Sequence, residues 1–548
     1  MIPWRFDVSP QSYLGLGTSF YTALLPKPVS SPMLVQYNDA LANDLGLSSP
    51  DKIKKDQSSP ADHSELEAYL AQILSGNLVI EGTIPIAQAY YGHQFGSLNV
   101  LGDGRALLLG EHLTPDGKRV DLVLKGSGPT PYSRGGDGRA ALEPMLREYL
   151  ISEAMFHLGI PTTRSLAVCT TGEMIQRETF LPGAVLTRVA ASHLRVGTFV
   201  MAYHMDPVAG GPTPLQQLAD YAIQRHDPDL LGLEGPERYQ AFLNRVVDRQ
   251  ASLVAQWQLV GFIHGVLNTD NVAISGETID YGPCAFMDAY DLKTVFSSID
   301  TYGRYAYGNQ PPITSWNLAR FAEVMLPLLA TPEPDTVSSS PFPKKAVEVA
   351  NQALARFKEQ FNSHYTQGLI KKFGLPESEY DLASRGLTLM ATYAMDYTNT
   401  FRGLMAILEA YLDQASLDAA FHEPLIQHLS AFDQWTVGMD PDTRMSRIPE
   451  VQAFLTDWLS AILAPYKKEA AHNATWVTSL KSVLNTMGQV NPVMIPRNHL
   501  VEEALKDAAA YNNILSALRT PFLLEGKVSE YLKPAPLGSS HYKTYCGT

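Results

Sequence analysis

The chain lacks several features, and each absence removes a class of function. Its 548 residues hold three cysteines, Cys169, Cys284 and Cys546. They are too few and too widely spaced for a disulfide framework or a zinc site. A reducing, cytoplasmic setting is therefore expected. No apolar run reaches the roughly 18 residues needed to cross a bilayer, so no membrane partner is expected. The opening residues, Met-Ile-Pro-Trp-Arg-Phe-Asp, do not show the basic-then-apolar order of a secretory signal. Basic residues are in deficit, with 42 Lys and Arg against 56 Asp and Glu and a formal charge of −14. Nonspecific nucleic-acid binding draws its affinity from a basic surface, so nucleic acid is not an expected partner. There are no internal repeats. Apolar residues make up 45% of the chain, enough for large cores. The length suits two to four domains, or one two-lobed domain with extensions.

Polar chemistry is concentrated in one stretch, H-G-V-L-N-T-D-N-V-A-I-S-G-E-T-I-D-Y-G-P, from His264 to Pro283. It holds His264, Asn268, Asp270, Asn271 and Asp280. Val272, Ala273 and Ile274 lead to a turn at Ser275-Gly276, and Thr278-Ile279 lead back, a hairpin pattern. Asn271 and Asp280 would then face one site from its two ends. An amide oxygen and a carboxylate are hard ligands that, with nucleotide phosphates, suit Mg²⁺ or Mn²⁺. The same residues also suit a polar turn around a hairpin.

Upstream, Gly92, Gly96, Gly102 and Gly104 lie among strand-like residues. Gly102-Asp103-Gly104-Arg105 reads either as a loop that lets backbone N–H groups approach phosphate or as an ordinary hairpin turn. Strands are expected at 107–112 and 120–125, joined at Pro115-Asp116-Gly117. Alternation turns Lys125 away from the Leu122/Leu124 face, to the surface or toward phosphates. The Gly/Pro/Ser-rich loop 126–142 carries Arg134, Asp137, Gly138 and Arg139. A helix over 143–158 starts near Pro144 and ends at Gly159 and Pro161. Glu148 lies off its apolar stripe, either solvated or paired with Lys125. Strand-like runs fill 163–190, and Arg188 near their end and Arg195 beyond it suit a bound anion.

Helices are expected at 65–75 and 236–260, and from 197 onward the pattern is mainly helical. Residues 48–64 read as an exposed loop, 331–345 as a Pro/Ser linker and 533–548 as a mobile tail. D-Y-T-N-T-F-R at 396–402 reads as a polar-aromatic insert, and N-P-V-M-I-P-R-N-H at 491–499 as a Pro-broken approach to a helix.

A Gly-rich loop, a strand lysine, a helix glutamate, then Asn and Asp-x-Gly is the ordered part list of a protein kinase. Here the parts are Gly102/Gly104, Lys125, Glu148, Asn271 and Asp280-Tyr281-Gly282. A kinase places its catalytic Asp five residues before the Asn, where this chain has Val266, which cannot take a proton. The combination resembles the selenoprotein O family, known in bacteria as YdiU, over most of the chain. The resemblance is carried by F-Y-T (20–22), G-H-Q-F-G (92–96), L-G-D-G-R-A (101–106), L-K-G-S-G (124–128), G-D-G-R-A-A-L (136–142), R-E-Y-L (147–150), H-G-V-L-N-T-D-N (264–271), I-D-Y-G-P (279–283), D-Y-T-N-T-F-R (396–402) and P-R-N-H (496–499).

The resemblance implies an α+β, kinase-like, two-lobed fold. It would have an N-terminal extension (1–80), an N-lobe (81–196), a C-lobe (197–420) and a helical C-terminal extension with a mobile tail (421–548). It implies transfer of AMP from ATP, bound reversed relative to a kinase, to Ser, Thr or Tyr of proteins, including the enzyme itself, with release of pyrophosphate. UTP is an alternative donor. By motif, Gly102, Gly104, Arg105, Lys125, Asp137, Gly138, Arg188 and Arg195 resemble the nucleotide-binding set. Asn271 and Asp280 resemble the metal ligands, with Asp280 also near the nucleotide. Asp270 resembles the proton acceptor, and Glu148 the partner of Lys125. An aspartate of ordinary pKa is a weak base for a hydroxyl, so Asp270 is expected chiefly to orient the acceptor. Some bacterial members carry a cysteine sixteen residues after the metal Asp, able to pair with a tail thiol. Phe296 stands there in this chain, so no such disulfide with Cys546 is expected.

Overall fold

Two-residue alternation along the strands sets the architecture. The computed structural model describes residues 11–47, 60–207, 211–331, 342–418, 426–436, 444–467, 475–524, 529–535 and 542–544. Its main sheet is antiparallel. β1 (Tyr21–Ala23) pairs with β3 (Ile86–Gln94), followed by β5 (Ala106–Leu113), β6 (Arg119–Lys125), β9 (Phe180–Ala190), β8 (Arg164–Gln176) and β2 (Met33–Tyr37). β4 (Ser97–Gly102) pairs with β3, and β7 (Ala140–Ala141) with β9. Leu122 and Leu124 of β6, with Val185 and Val189 of β9, share a core with residues of α1 (Asp39–Asp44) and α2 (Pro60–Leu74). Val123, Leu186 and Val168 point to the other face, into the core that holds α3 (Leu142–His157). Each such buried Val or Leu contributes roughly 1.5–3 kcal/mol.

Register then decides where the cations go. Lys125 stands opposite Leu186, and Arg188 opposite Val123. Residues directly opposite share a face, as do residues two apart on one strand. Lys125 and Arg188 therefore both leave the sheet on the α3 side, away from the Leu122/Leu124 face as alternation requires.

The helical part comprises α4 (Val196–Tyr203), α5 (Pro214–His226), α6 (Gly235–Val260), α7 (Gln310–Leu329), α8 (Lys344–Phe373), α9 (Tyr380–Thr392) and α10 (Tyr397–Asp418). α11 (Ile426–Leu429), α12 (Pro449–Leu463), α13 (Thr475–Val490), α14 (Asn498–Ala504) and α15 (Ala508–Leu518) follow. α6 ends where Gly261 turns left-handed at φ 73°, as glycine after a helix commonly does. The chain then enters β10 (Phe262–Ile263), whose antiparallel partner β11 (Ala285–Phe286) closes the base of the polar stretch. The fold is the α+β, kinase-like arrangement expected. One core cluster runs from Tyr13 to Leu518, and a second gathers α8, α9, α10, α12 and α13. The first is shared because α15 packs back on α3, with the Tyr511 hydroxyl donating to the Leu146 carbonyl at 2.9 Å.

Four local expectations change. The arms of the expected hairpin at 272–279 do not pair with each other. Ala273 bridges to Arg195 and Thr278 to Thr162, although the turn at Gly276 is present, with its N–H on the Ala273 carbonyl. Val272 to Ile274 are buried, and flanking segments satisfy their backbone groups from outside. Next, residues 60–64 open α2, with Pro60 at its first position, where a missing N–H costs nothing; residues 48–59 lie outside the described residues. D-Y-T-N-T-F-R begins α10, with Asp396 accepting the Asn399 N–H at 2.7 Å. Lastly, the tail is held at Tyr542–Thr544. The Thr544 N–H donates to the Phe296 carbonyl and its hydroxyl to the Pro283 carbonyl, each at 2.8 Å. The Tyr542 ring packs on Phe296 at 6.0 Å. Cys546 and most of the 331–345 linker lie outside the described residues. No helix among those described is long and apolar enough to cross a membrane.

Candidate active site

Six charged side chains meet between the sheet, α3 and the polar stretch. Lys125 Nζ lies 2.6 Å from Glu148 Oε2 and 3.0 Å from Asp280 Oδ1. Arg188 Nη2 lies 2.5 Å from Glu148 Oε1 and 2.5 Å from Asp280 Oδ1. Arg195 Nη2 approaches Asp280 Oδ2 at 3.6 Å and Asp103 Oδ1 at 4.0 Å. Three cations thus face three carboxylates. Glu148 is deeply buried, not solvated, because α3 presents it to the face that Lys125 and Arg188 enter. Burial raises the Glu148 pKa, but Lys125 and Arg188 outweigh it and hold the carboxyl below the ordinary value. Burial also acts against Asp280, and Arg188, Lys125 and Arg195 hold it well below the carboxylate range. The anion between the two arginines in this structure is the Asp280 carboxylate itself. Asp280 has φ 62°, a left-handed backbone that aspartate tolerates better than most residues and that turns its side chain to the cations.

The polar stretch brings further groups to this cluster. His264 Nε2 lies 2.8 Å from the Ile279 carbonyl, one residue before Asp280. Burial depresses the His264 pKa, so it serves as a neutral brace. Asn271 donates its Nδ2 to the Val266 carbonyl at 2.8 Å, which commits the amide nitrogen and leaves Oδ1 for a ligand. Asp270 is buried, and its Oδ1 has no hydrogen-bond partner among the described residues. Burial pushes its carboxyl up to about 6, although Arg195 opposes this. The ordinary pKa expected for Asp270 is thereby revised, and a carboxylate near 6 is a better proton acceptor. Gly92 of β3 admits Asp270: a Cβ there would stand 2.6 Å from Asp270 Oδ1.

The remaining expected residues are distributed around this centre. Arg105 lines a cavity of about 200 Å³ with Lys125, Glu148, Arg147 and Lys543. Gly102 and Gly104 form the β4–β5 connection, and in this structure the Tyr132 ring fills the space before Gly102. Asp137 is turned to Arg177, at 2.8 and 3.1 Å, and caps the Arg139 N–H. It is not joined to the Lys125–Asp280 cluster. Gly138 has φ 64°, and a Cβ there would overlap the Gly128 backbone.

Several participants were not among the expected site residues. Asp103 is buried beside Arg195, and the Tyr90 ring lies 4.5 Å under the Arg195 guanidinium. Arg497 is buried between Asp288 and Asp396, which ties P-R-N-H and D-Y-T-N-T-F-R to the segment just after β11. The motif spacing marked these stretches, but only the fold shows what they bind.

Comparison with known proteins gives the family. Residues 7–520 match the family model described as protein adenylyltransferase SelO. A protein nucleotidyltransferase YdiU of Bacillus cereus (strain G9842) is 47% identical over 554 residues, covering 100% of this chain and 98% of the relative. One of Bacillus thuringiensis (strain Al Hakam) is 47% identical over 556 residues, covering 100% of this chain and 99% of the relative. The chain belongs to the protein adenylyltransferase SelO family and is, with it, a nucleotidyltransferase.

Proposed function

We propose that the chain transfers AMP from ATP to Ser, Thr or Tyr hydroxyls of proteins, releasing pyrophosphate, with Mg²⁺ or Mn²⁺. The observation that carries this reading is the convergence of three buried cations, Lys125, Arg188 and Arg195, on one carboxylate beside Asp270. Transfer at a phosphorus needs triphosphate charge neutralised and the acceptor held in line. The three cations bind the phosphates. Glu148 holds Lys125 and Arg188 in place from behind. Asp270 accepts the proton of the acceptor hydroxyl at its unpartnered Oδ1, or orients that hydroxyl. Val266 leaves the position of a kinase base without a proton acceptor.

A divalent metal suits the donor set. Asn271 Oδ1 and the Asp280 carboxylate would hold it, and no group of three His, Cys, Asp or Glu able to do so occurs among the described residues. Two protein ligands completed by phosphate oxygens is a common arrangement for Mg²⁺. When bound, the ion supplies charge neutralisation on the phosphates.

The test is incubation with ATP labelled at the α or the γ phosphate. Label is expected on protein from the α position only, and Asp280→Ala should abolish it. Labelling from the γ position alone would overturn the reading. Relatives carry the broader name nucleotidyltransferase, so α-labelled UTP belongs in the same experiment.

A further inference from the structure

Beside Asp270, the structure presents a cationic, aromatic surface that the nucleotide chemistry does not use. His93 reaches the catalytic loop twice. Its backbone N–H donates to Thr269 Oγ1 at 2.8 Å, and its Nδ1 lies 3.2 Å from the same atom. Next outward is Trp316, edge-on to His93 at 5.5 Å. Arg304 and Arg320 each lie over the Trp316 ring, at 5.0 and 5.1 Å. Arg320 is paired with Glu323. Arg304 is not: no carboxylate pairs with its guanidinium among the described residues, and its Nε is buried without a partner. The nearby Asp300 is committed to the backbone N–H groups of Arg304 and Tyr305. In a chain of net charge −14, a cation left without a counterion next to the catalytic loop stands out.

The apolar side of this surface is held at a backbone cost. β3 and β4 are joined through Phe95 and Gly96, with Gln94 opposite Ser97. Both loop residues have positive φ, 51° and 89°. Such a two-residue turn favours Asn-Gly, and a bulky residue there is strained. Phe95 is nevertheless present and 44% exposed. Tyr305 fixes it, with the rings 5.4 Å apart and the Tyr305 hydroxyl accepting the Phe95 N–H at 3.3 Å. The same hydroxyl donates to Asn268. Tyr302, at 98% exposure, stands on the loop that carries Arg304.

We propose that this surface receives the acceptor protein, and that Arg304 selects a segment with an acidic residue near the modified hydroxyl while Phe95 packs against its side chains. The inference rests on the protein-modifying reading above. His93 to Trp316 and Trp316 to Arg304 are 5.5 and 5.0 Å, so Arg304 lies within about 10 Å of the His93 ring and the favoured carboxylate falls within a few extended residues of the acceptor. A guanidinium held against an aromatic face suits a carboxylate more specifically than a solvated lysine does.

The test measures binding without nucleotide, by fluorescence anisotropy. The probes are two fluorescein-labelled peptides, each with one serine, flanked on both sides by three glutamates in one and three lysines in the other. Wild type is expected to bind the glutamate peptide at least 10-fold more tightly. Arg304→Glu should reverse the preference and Arg304→Gln should abolish it. Phe95→Asn, which suits the turn better, should weaken the glutamate peptide several-fold while leaving the melting temperature unchanged or raised. Equal binding of the two peptides, no binding of either, or an unchanged preference in Arg304→Gln would overturn the proposal. Because no transfer is read, absent α-label transfer with a retained acidic preference would count against the reaction and not against this surface.

Discussion

Replacing Glu277 with glutamine should stabilise the protein, and only above mildly acidic pH. Glu277 lies three residues before Asp280. Its carboxylate accepts the Ala191 N–H at 3.0 Å and the Ser275 hydroxyl at 3.0 Å. Burial pushes its carboxyl from 4.5 up to about 7, with the nearby Asp121 adding to this and the two hydrogen bonds opposing it. Below about pH 4.5 both folded and unfolded chains carry the proton, and the group costs nothing. As pH rises, the unfolded chain releases the proton first, so stability present at low pH is lost progressively until the folded carboxyl also ionises near pH 7. At 1.36 kcal/mol per pH unit this amounts to about 3 kcal/mol, which partial exposure of Glu277 screens to about 2 kcal/mol. Glutamine keeps both hydrogen bonds with its carbonyl oxygen in the Oε2 position, where the Ala191 N–H and the Ser275 hydroxyl both donate. Urea midpoints of wild type and Glu277→Gln should differ by about 2 kcal/mol at pH 8 and by less than half of that at pH 5.5. A difference independent of pH, or a variant less stable at pH 8, would refute the reasoning.

Gly92→Ala places a methyl carbon 2.6 Å from Asp270 Oδ1; displacing the carboxylate should lower the α-label transfer rate about 10-fold or more with little change in nucleotide affinity. Asp280→Ala removes the carboxylate that occupies Lys125 and Arg188; in EDTA, calorimetry should find ATP binding unchanged or tighter than in wild type, despite lost transfer. Arg497→Lys breaks a buried fork onto Asp396 and Asp288; a single ammonium cannot replace it, and a loss of about 3 kcal/mol is expected in thermal or urea unfolding.

The sequence made the strand–lysine and helix–glutamate pair legible because each sits in a strongly periodic element. Alternation in V-D-L-V-L-K fixed the face of Lys125, and register with β9 carried Arg188 to the same place. The 272–279 segment misled for a physical reason. Its strand-like residues are buried, but they pair with Arg195 and Thr162 from distant segments, which local pattern cannot reveal. The burial of Asp270 was equally hidden, since it depends on Gly92 of β3 packing against the turn that carries Asp270. Thr544 was hidden too: a Gly/Ser-rich tail reads as mobile until the Phe296 and Pro283 carbonyls it bonds are in place.

The charge balance of the site bears on the order in which its ligands bind. Lys125, Arg188 and Arg195 offset Glu148, Asp280 and Asp103. A divalent cation arriving alone would compete with two guanidinium groups and an ammonium for Asp280. A triphosphate arriving alone would meet Asp280 between the cations it needs. On the proposed reading, metal and triphosphate arriving together would exchange partners with the protein, Asp280 serving the metal and the cations the phosphates, so that neither charge would be left buried and unpaired. Mn²⁺ should therefore bind the free protein weakly, and at least 100-fold more tightly in the presence of a non-hydrolysable ATP analogue, a coupling of about 2.7 kcal/mol. Electron paramagnetic resonance titration of Mn²⁺ with and without the analogue measures this directly. Tight Mn²⁺ binding to the nucleotide-free protein would mean that the three cations do not compete with the metal for Asp280.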